Sequence, residues 1–247
     1  MRLTVVGCGD AFGSGGRLQT CFHAAAGESQ FLIDCGATAL LGLDRAGLDP
    51  GKVETIVISH LHGDHFSGLV WWLVHAQHVG RRTAPLEVIG PAGIEARFIA
   101  ATEALFPGAT QIKRRFALTF REFAAGERLE ADGLVVTPYE VSHPSGSLSA
   151  ALRIETAGKT IAFSGDTEWV ETLVTCASGA DLFITECYSY ARKVRYHIDW
   201  GTLEANRDRL TARRILLSHM SHEMLAKRHE IANPRVTFAE DGMVIEV

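Results

Sequence analysis

Short apolar runs recur along the chain, each closed by glycine, proline or a polar cluster. Those over 2–6, 21–26, 30–34, 55–58, 86–90, 115–123, 134–141, 148–156, 160–164, 181–185, 214–218 and 242–246 are too short for typical helices and read as strands. Longer stretches with apolar residues three and four apart read as helices. They cover 37–46, Phe66 to Val79 (Leu69, Val70, Leu73, Val74), Pro91 to about Leu105, Glu168 to Cys176, 200–210 and 221–229. Pro91 reads as a helix-opening proline, and Gly47-Leu48-Asp49-Pro50 as a helix stop. Gly126, Asp132-Gly133 and Ala157-Gly158-Lys159 mark turns, and Ala26-Gly27-Glu28-Ser29 joins a hairpin. Strands followed by helices, twice over, predict two sheets packed together with helices outside. With no low-complexity linker or short repeat, residues 1–247 are expected to form one domain.

Composition narrows the partners more than the fold. The 247 residues are 47% hydrophobic and 21% charged, enough for a full core. The formal net charge of −5 supplies no general positive field, so an anionic substrate must be captured locally. That disfavours a large RNA and leaves small phosphoesters open. Five cysteines without a CxxC spacing read as reduced thiols. The first residues run straight into a strand pattern, and no apolar run approaches ~20 residues. The expectation is a cytoplasmic protein with no membrane span, a homodimer being left open.

Gly7 to Arg17 is glycine-dense, but no helical pattern follows, so it fails the context test for a dinucleotide fingerprint. Glycines there let backbone turn sharply or approach a ligand. Arg17 reads either as a fork onto a phosphate or as a solvated loop residue.

The densest chemistry follows the run Thr55-Ile56-Val57-Ile58. His60-x-His62-x-Asp64-His65 places three imidazoles and a carboxylate in six residues. Side chains alternate along extended chain, so His60 and His62 project the same way and can grip one metal. Asp64 and His65 lie where the chain turns into a helix and can grip a second. Three other strands end in His143, Asp166 and His219, as a ligand-lined rim requires. Each could instead be a turn residue, and Asp166 could cap a helix.

Taken in order, these motifs resemble the metallo-β-lactamase superfamily across nearly the whole chain. The resemblance implies a four-layer αββα sandwich with a dinuclear site at the sheet edges. It implies that His60, His62 and His143 hold one ion, that Asp64, His65 and His219 hold the other, and that Asp166 bridges them. Two divalent ions are expected, zinc first, with manganese or iron also admitted. β-Lactamases often carry Cys where Asp166 stands, which disfavours that activity.

Within the superfamily, Ile33-Asp34-Cys35-Gly36, Phe163-Ser164-Gly165-Asp166-Thr167 and the segment from Asp166 to His219 resemble ribonuclease Z-like phosphodiesterases. By that resemblance Glu186 after strand 181–185 and His197 before helix 200–210 form a proton-donating pair. An alkoxide leaves poorly unless protonated, and a carboxylate beside the imidazole would raise its pKa and hold its tautomer. Otherwise Glu186 caps a turn and His197 sits at the surface. Asp64, Glu186 and His197 are thus the catalytic candidates. The expected reaction is hydrolysis of a small phosphodiester or a nucleic-acid end by a metal-bridging hydroxide. The alternatives are a lactone, thioester or carboxylic-ester hydrolase on the same site, or a metal-binding regulatory protein without catalysis.

Two departures bear on substrate. Ribonuclease Z carries a long arm for the tRNA body between the positions matching His143 and Asp166, whereas here the strands and hairpin of residues 144–165 use the whole interval. Its His-Glu-Ala-Thr element also retains only Glu186, Thr185 standing for the His. Binding of a tRNA body is therefore not expected.

The remaining candidates have plainer readings. Ser145-Gly146-Ser147 offers hydroxyls near His143 or is simply a turn. At least one of Trp71 and Trp72 should be core. His75, His78, His222, His229 and His23 are assigned no metal, and Arg81-Arg82 reads as an ordinary basic helix end.

Overall fold

The computed structural model describes residues 1–27 and 29–247, so the Glu28 part of the expected hairpin turn lies outside the described residues. The first half runs β1 (Arg2–Gly7), β2 (Cys21–Ala26), β3 (Ser29–Ile33), α1 (Ala39–Arg45), β4 (Thr55–Val57), α2 (Gly63–Phe66), α3 (Gly68–His78), β5 (Leu86–Pro91), α4 (Ile94–Leu105) and β6 (Leu118–Phe123). The second runs β7 (Leu129–Ala131), β8 (Leu134–Glu140), β9 (Ala150–Thr156), β10 (Lys159–Phe163), α5 (Thr172–Cys176), β11 (Leu182–Glu186), α6 (Trp200–Ala205), β12 (Ile215–Ser218), α7 (His222–Lys227), β13 (Val236–Phe238) and β14 (Val244–Glu246).

Two seven-stranded sheets result, ordered β14-β1-β2-β3-β4-β5-β6 and β13-β12-β11-β10-β9-β8-β7. Their central strands are buried on both faces, which is why they read as continuous apolar runs. Val57, Ile184 and Leu216 pack between the sheets with Phe22 and Phe163. Their neighbours Ile56 and Ile58 face α1, α3 and α4, while Phe183, Ile215 and Leu217 face α5, α6 and α7. Three apolar layers between four structural layers make the αββα sandwich.

Strand direction brings the chemistry to one edge. In the first sheet β3, β4, β5 and β6 run parallel, and β1 runs the same way because two antiparallel steps separate it from β3. In the second, β10, β11, β12 and β13 are parallel, with β8 aligned to them through β9. The segments after β1, β3, β4, β8, β10, β11 and β12 therefore leave their strands in matched directions within each sheet. These segments carry the glycine-dense loop, Asp34, His60, His143, Asp166 and His219, and Glu186 is the last residue of β11. Ligand groups gathered beyond strand carboxyl ends are a general outcome of such sheets.

Several expected boundaries move. Pro91 ends β5 instead of opening a helix, and α4 starts at Ile94 behind Gly93, whose φ of 85° suits glycine. The helix expected from Phe66 begins earlier and is broken, α2 and α3 meeting at Ser67. The helices expected at Glu168–Cys176, 200–210 and 221–229 shrink to α5, α6 and α7. The three-residue strands β7 and β13 fall below the length at which alternation is visible.

Arg81-Arg82 is not an ordinary basic end. Arg82 is 6% exposed, and its guanidinium donates to the carbonyls of Ala84, Pro50, Gly51, Val53 and Pro85. It holds the loops before β4 and β5 together. Trp72 is buried and Trp71 is not.

Candidate metal centre

The site is built around one buried carboxylate. Asp34, just beyond β3, has a φ of 57° and accepts from the Ser59 amide at 2.7 Å and the Ser59 hydroxyl at 2.8 Å. It also accepts from His65 Nδ1 at 2.6 Å. Since the Ser59 hydroxyl proton is spent on Asp34, Ser59 Oγ must accept from His60 Nδ1, 3.0 Å away. His143 Nδ1 donates likewise to the Tyr196 carbonyl at 3.0 Å. In each ring Nδ1 turns outward to its partner, so the inward Nε2 is the atom left to offer a lone pair to a cation. Outer partners of this kind fix ligand tautomers in metal sites.

The inward atoms converge. His60, His62 and His143 form one group whose ligand atoms lie within 4.8 Å of one another, and Asp64, His65, Asp166 and His219 form another. His143 Nε2 is 3.0 Å from His62 Nδ1. His65 Nε2 is 3.3 Å from both Asp64 Oδ2 and Asp166 Oδ1, and His219 Nε2 is 3.2 Å from Asp64 Oδ2. Asp166 Oδ2 lies between the groups, 3.3 Å from His219, 3.8 Å from His143 and 4.0 Å from His60. Among the described residues, the buried atoms His60 Nε2, His65 Nε2 and Asp166 Oδ1 have no hydrogen-bond partner. Buried polar atoms are rarely left so, and convergent imidazole lone pairs with carboxylates are the donors a divalent cation takes. The seven residues fit a divalent metal.

Electrostatics point the same way. Burial and the neighbouring imidazoles push His60 well below its ordinary range, and burial lowers His143 to about 4, leaving neutral ligands. Burial would raise Asp64, but His65 and His219 hold it well below the carboxylate range. Burial lowers His219, yet Asp166 and Asp64 outweigh it and raise it to about 9. The carboxylates call for positive charge at this point.

The other two candidates flank the cluster. Glu186, at the end of β11, accepts from the Thr167 amide and, at 3.0 Å, from His197 Nδ1. Burial pushes Glu186 up to about 7, against the opposing effect of His197. Burial lowers His197, but the bond and charge of Glu186 prevail and raise it. The His197 ring stacks on Tyr188 at 4.7 Å and lies 5.1 Å from the His143 ring. His197 falls within ligand reach of His143 and Asp166 as well, yet its Nδ1 and both Glu186 oxygens are already engaged. Glu186 is thus no turn cap.

All nine predicted site residues meet in one place. A cleft of about 140 Å³ opens onto six of them, walled by Asp10, Ala11, Phe12 and Tyr188. Nothing in the local sequence singles out Tyr188. Asp34 stands just beyond β3, as His143, Asp166 and His219 stand beyond their strands, and that position is the signal the sequence carries for it. Arg17 turns away to pair with Glu240 at 2.6 Å. Asp166 caps no helix, since α5 begins at Thr172. Ser145 bonds Ser149, as in a turn, and Ser147 donates to the distant Ala92 carbonyl. Residues 144–165 hold only that turn, β9, the Ala157-Gly158 hairpin and β10.

The family model described as Anti-Pycsar protein Apyc1 matches residues 1–245. Ribonuclease Z of Shouchella clausii is 27% identical over 276 aligned positions, covering 88% of this chain and 86% of that one. A match to ribonuclease BN of Cronobacter sakazakii, 40% identical, covers 46% of this chain but only 36% of its relative's length. The crystal structure of the metallo-beta-lactamase fold protein YhfI from Bacillus subtilis superposes with a TM-score of 0.78 over 99% of both chains, at 22% identity.

Proposed function

The chain belongs to the Anti-Pycsar protein Apyc1 family and has the metallo-β-lactamase fold of ribonuclease Z-like metallo-hydrolases, and from this premise we propose a phosphodiesterase acting on small phosphodiesters. Residues 1–247 act as one hydrolase domain. His60, His62 and His143 hold one divalent ion, Asp64, His65 and His219 hold a second, and Asp166 is shared. Zinc is the first choice for this donor set. Such ions supply a Lewis-acidic centre that polarises a phosphoryl oxygen and acidifies water.

The observation that carries the reading is His197 on the cleft wall with the buried Glu186 bonded behind it. Acyl transfer from an activated ester can proceed without a strong acid, but cleavage of a P–O bond to an alkoxide calls for one. His197 gives its proton to the departing oxygen. Glu186 holds the ring in the donating tautomer and pairs its charge before transfer. Tyr188 fixes the ring plane by stacking. The small cleft, and the commitment of residues 144–165 to sheet and turns, support a small phosphodiester over an RNA body.

The test is hydrolysis of bis(p-nitrophenyl) phosphate, a cyclic mononucleotide, a lactone and a thioester by protein loaded with Zn²⁺ or Mn²⁺. Turnover of the phosphodiesters is expected. Phosphodiesters left untouched while an ester, thioester or lactone turns over would replace this reading with that of a carboxylic-ester hydrolase.

A further inference from the structure

Asp241 stands exposed in the turn before β14, and nothing in its local sequence sets it apart from other turn carboxylates. Its bonds are not local. Oδ1 accepts from the Cys8 amide at 3.0 Å and the Cys8 thiol at 3.2 Å, 233 residues back along the chain. Oδ2 accepts from the Leu18 amide at 2.7 Å, 223 residues back. An aspartate that only shapes its own turn bonds a backbone amide a residue or two away. This one fastens both ends of the glycine-dense loop to the last segment of the chain.

That segment crosses between the sheets. The Ala239 amide bonds the Leu217 carbonyl of β12 at 2.8 Å, and the Gly242 amide bonds the Val5 carbonyl of β1 at 2.7 Å. Beside the crossing, the Cys8 carbonyl accepts from the His219 amide at 3.0 Å and from the Ser218 hydroxyl at 3.4 Å. His219 has a φ of 54°, a conformation that a β-carbon opposes and that persists only where the surroundings hold it. The Cys8 carbonyl holds His219, and Asp241 holds Cys8.

The candidate ligands come from both sheets, Asp64 and His65 after β4 of the first and His219 after β12 of the second. Distances within the cluster therefore depend on how the sheets are fastened. Near His60 there is a separate fastening, the Ala150 amide of β9 to the Ser59 carbonyl at 3.1 Å. The Cys8–His219 bond is its counterpart on the other side of the cluster.

We propose that Asp241 is a positioning residue for the ion assigned to Asp64, His65 and His219, because it fixes the Cys8 carbonyl that sets the His219 backbone. This rests on the two-ion reading of the site.

The experiment titrates metal-free protein with Zn²⁺ by calorimetry, His219→Ala marking which binding step belongs to that ion. Asp241→Ala should weaken that ion by about tenfold, the lower end of outer-partner effects, and leave the other ion within about twofold. Glu240→Ala, which frees Arg17 and Arg228 but not Cys8, should leave both ions as in wild type. Asp241→Asn keeps one acceptor oxygen, so it should show the same selective loss in smaller measure, and it replaces the alanine variant if that one does not fold. Equal weakening of both ions, or of neither, overturns the proposal. Amide hydrogen exchange of the metal-free protein reads the same bond without any ion. In the Asp241 variant, exchange at His219 should rise by several-fold or more relative to Phe183, whose amide is bonded within the second sheet. A wild type that binds fewer than two ions would remove the two-ion reading, while the exchange ratio still decides the role of Asp241.

Discussion

His197 Nδ1 lies 3.0 Å from Glu186 Oε2, and this bond spans eleven residues of chain to join the end of β11 to the start of α6. Glu186 is itself held by the Thr167 amide, next to Asp166. Two strand ends and one loop are therefore coupled through a single carboxylate, and a proton donor stands beside the metal cluster in a set orientation.

If His197 is the acid, its removal must hurt most where the leaving group is poor. His197→Ala should lower kcat by on the order of 10²-fold or more for an alkyl leaving group. The loss should be several-fold smaller for p-nitrophenolate, which departs without a proton. Steady-state rates on the two substrates decide it, and equal losses would take His197 out of that role.

Asp34 touches no predicted metal ion, yet it orients His65 directly and His60 through Ser59. Asp34→Ala should weaken metal binding by about 10- to 100-fold, the usual effect of losing an outer partner. Competition against a chromogenic chelator reads the affinity. A variant that binds as tightly as wild type would show that the rings hold their tautomers unaided.

Asp166 and Asp64 supply the carboxylates of the cluster. Asp166→Ala and Asp64→Ala should both reduce metal per chain by elemental analysis and abolish hydrolysis. Stripping the wild type with a chelator should lower its melting temperature. A ligand at a hundred times its Kd contributes about 2.7 kcal/mol to the folded state. Metal content and activity unchanged in both variants would mean that the site is misplaced.

His23 gives a pH dependence away from the cluster. Burial lowers its pKa from the ordinary value of 6.5, the bond to Gln30 opposing only in part. The unfolded chain takes up the proton first as pH falls, so stability is full above about 6.5 and declines below it until the folded pKa is passed. One such group sets a slope of at most about 1.4 kcal/mol per pH unit. Chemical denaturation between pH 8 and 5.5 should show a shallower decline in His23→Gln than in wild type, and identical slopes would refute it.

Removing Arg82 strands five carbonyls around a buried site. Arg82→Ala should destabilise the fold by on the order of 3 kcal/mol, read by urea titration, because unpaired buried acceptors are costly. Its effect on turnover of the surviving folded protein should be small.

The seven metal-site candidates were legible because each stands in or beside a strand-end motif with the right atoms. His60, His62, Asp64 and His65 could be paired by side-chain alternation and chain turning alone. The Glu186–His197 pair was legible only through resemblance, since a carboxylate and an imidazole eleven residues apart carry no local signal. The role of Arg82 is hidden in the sequence for a related reason. A guanidinium that satisfies distant carbonyls looks the same in sequence as one in solvent.

What the sequence by itself determined was the inventory: alternating apolar runs that must be buried on two faces, turns at Asp132-Gly133 and Ala157-Gly158, and ligand atoms after named strands. These follow from local sterics and from the period of side chains along a strand. What only the tertiary structure decided was which lone pairs face inward. Asp34 assigns the tautomers of His60 and His65, and Tyr196 assigns that of His143. Each is a hydrogen bond set by how strands and loops pack together, and its energy comes from burial that no local stretch of chain can supply.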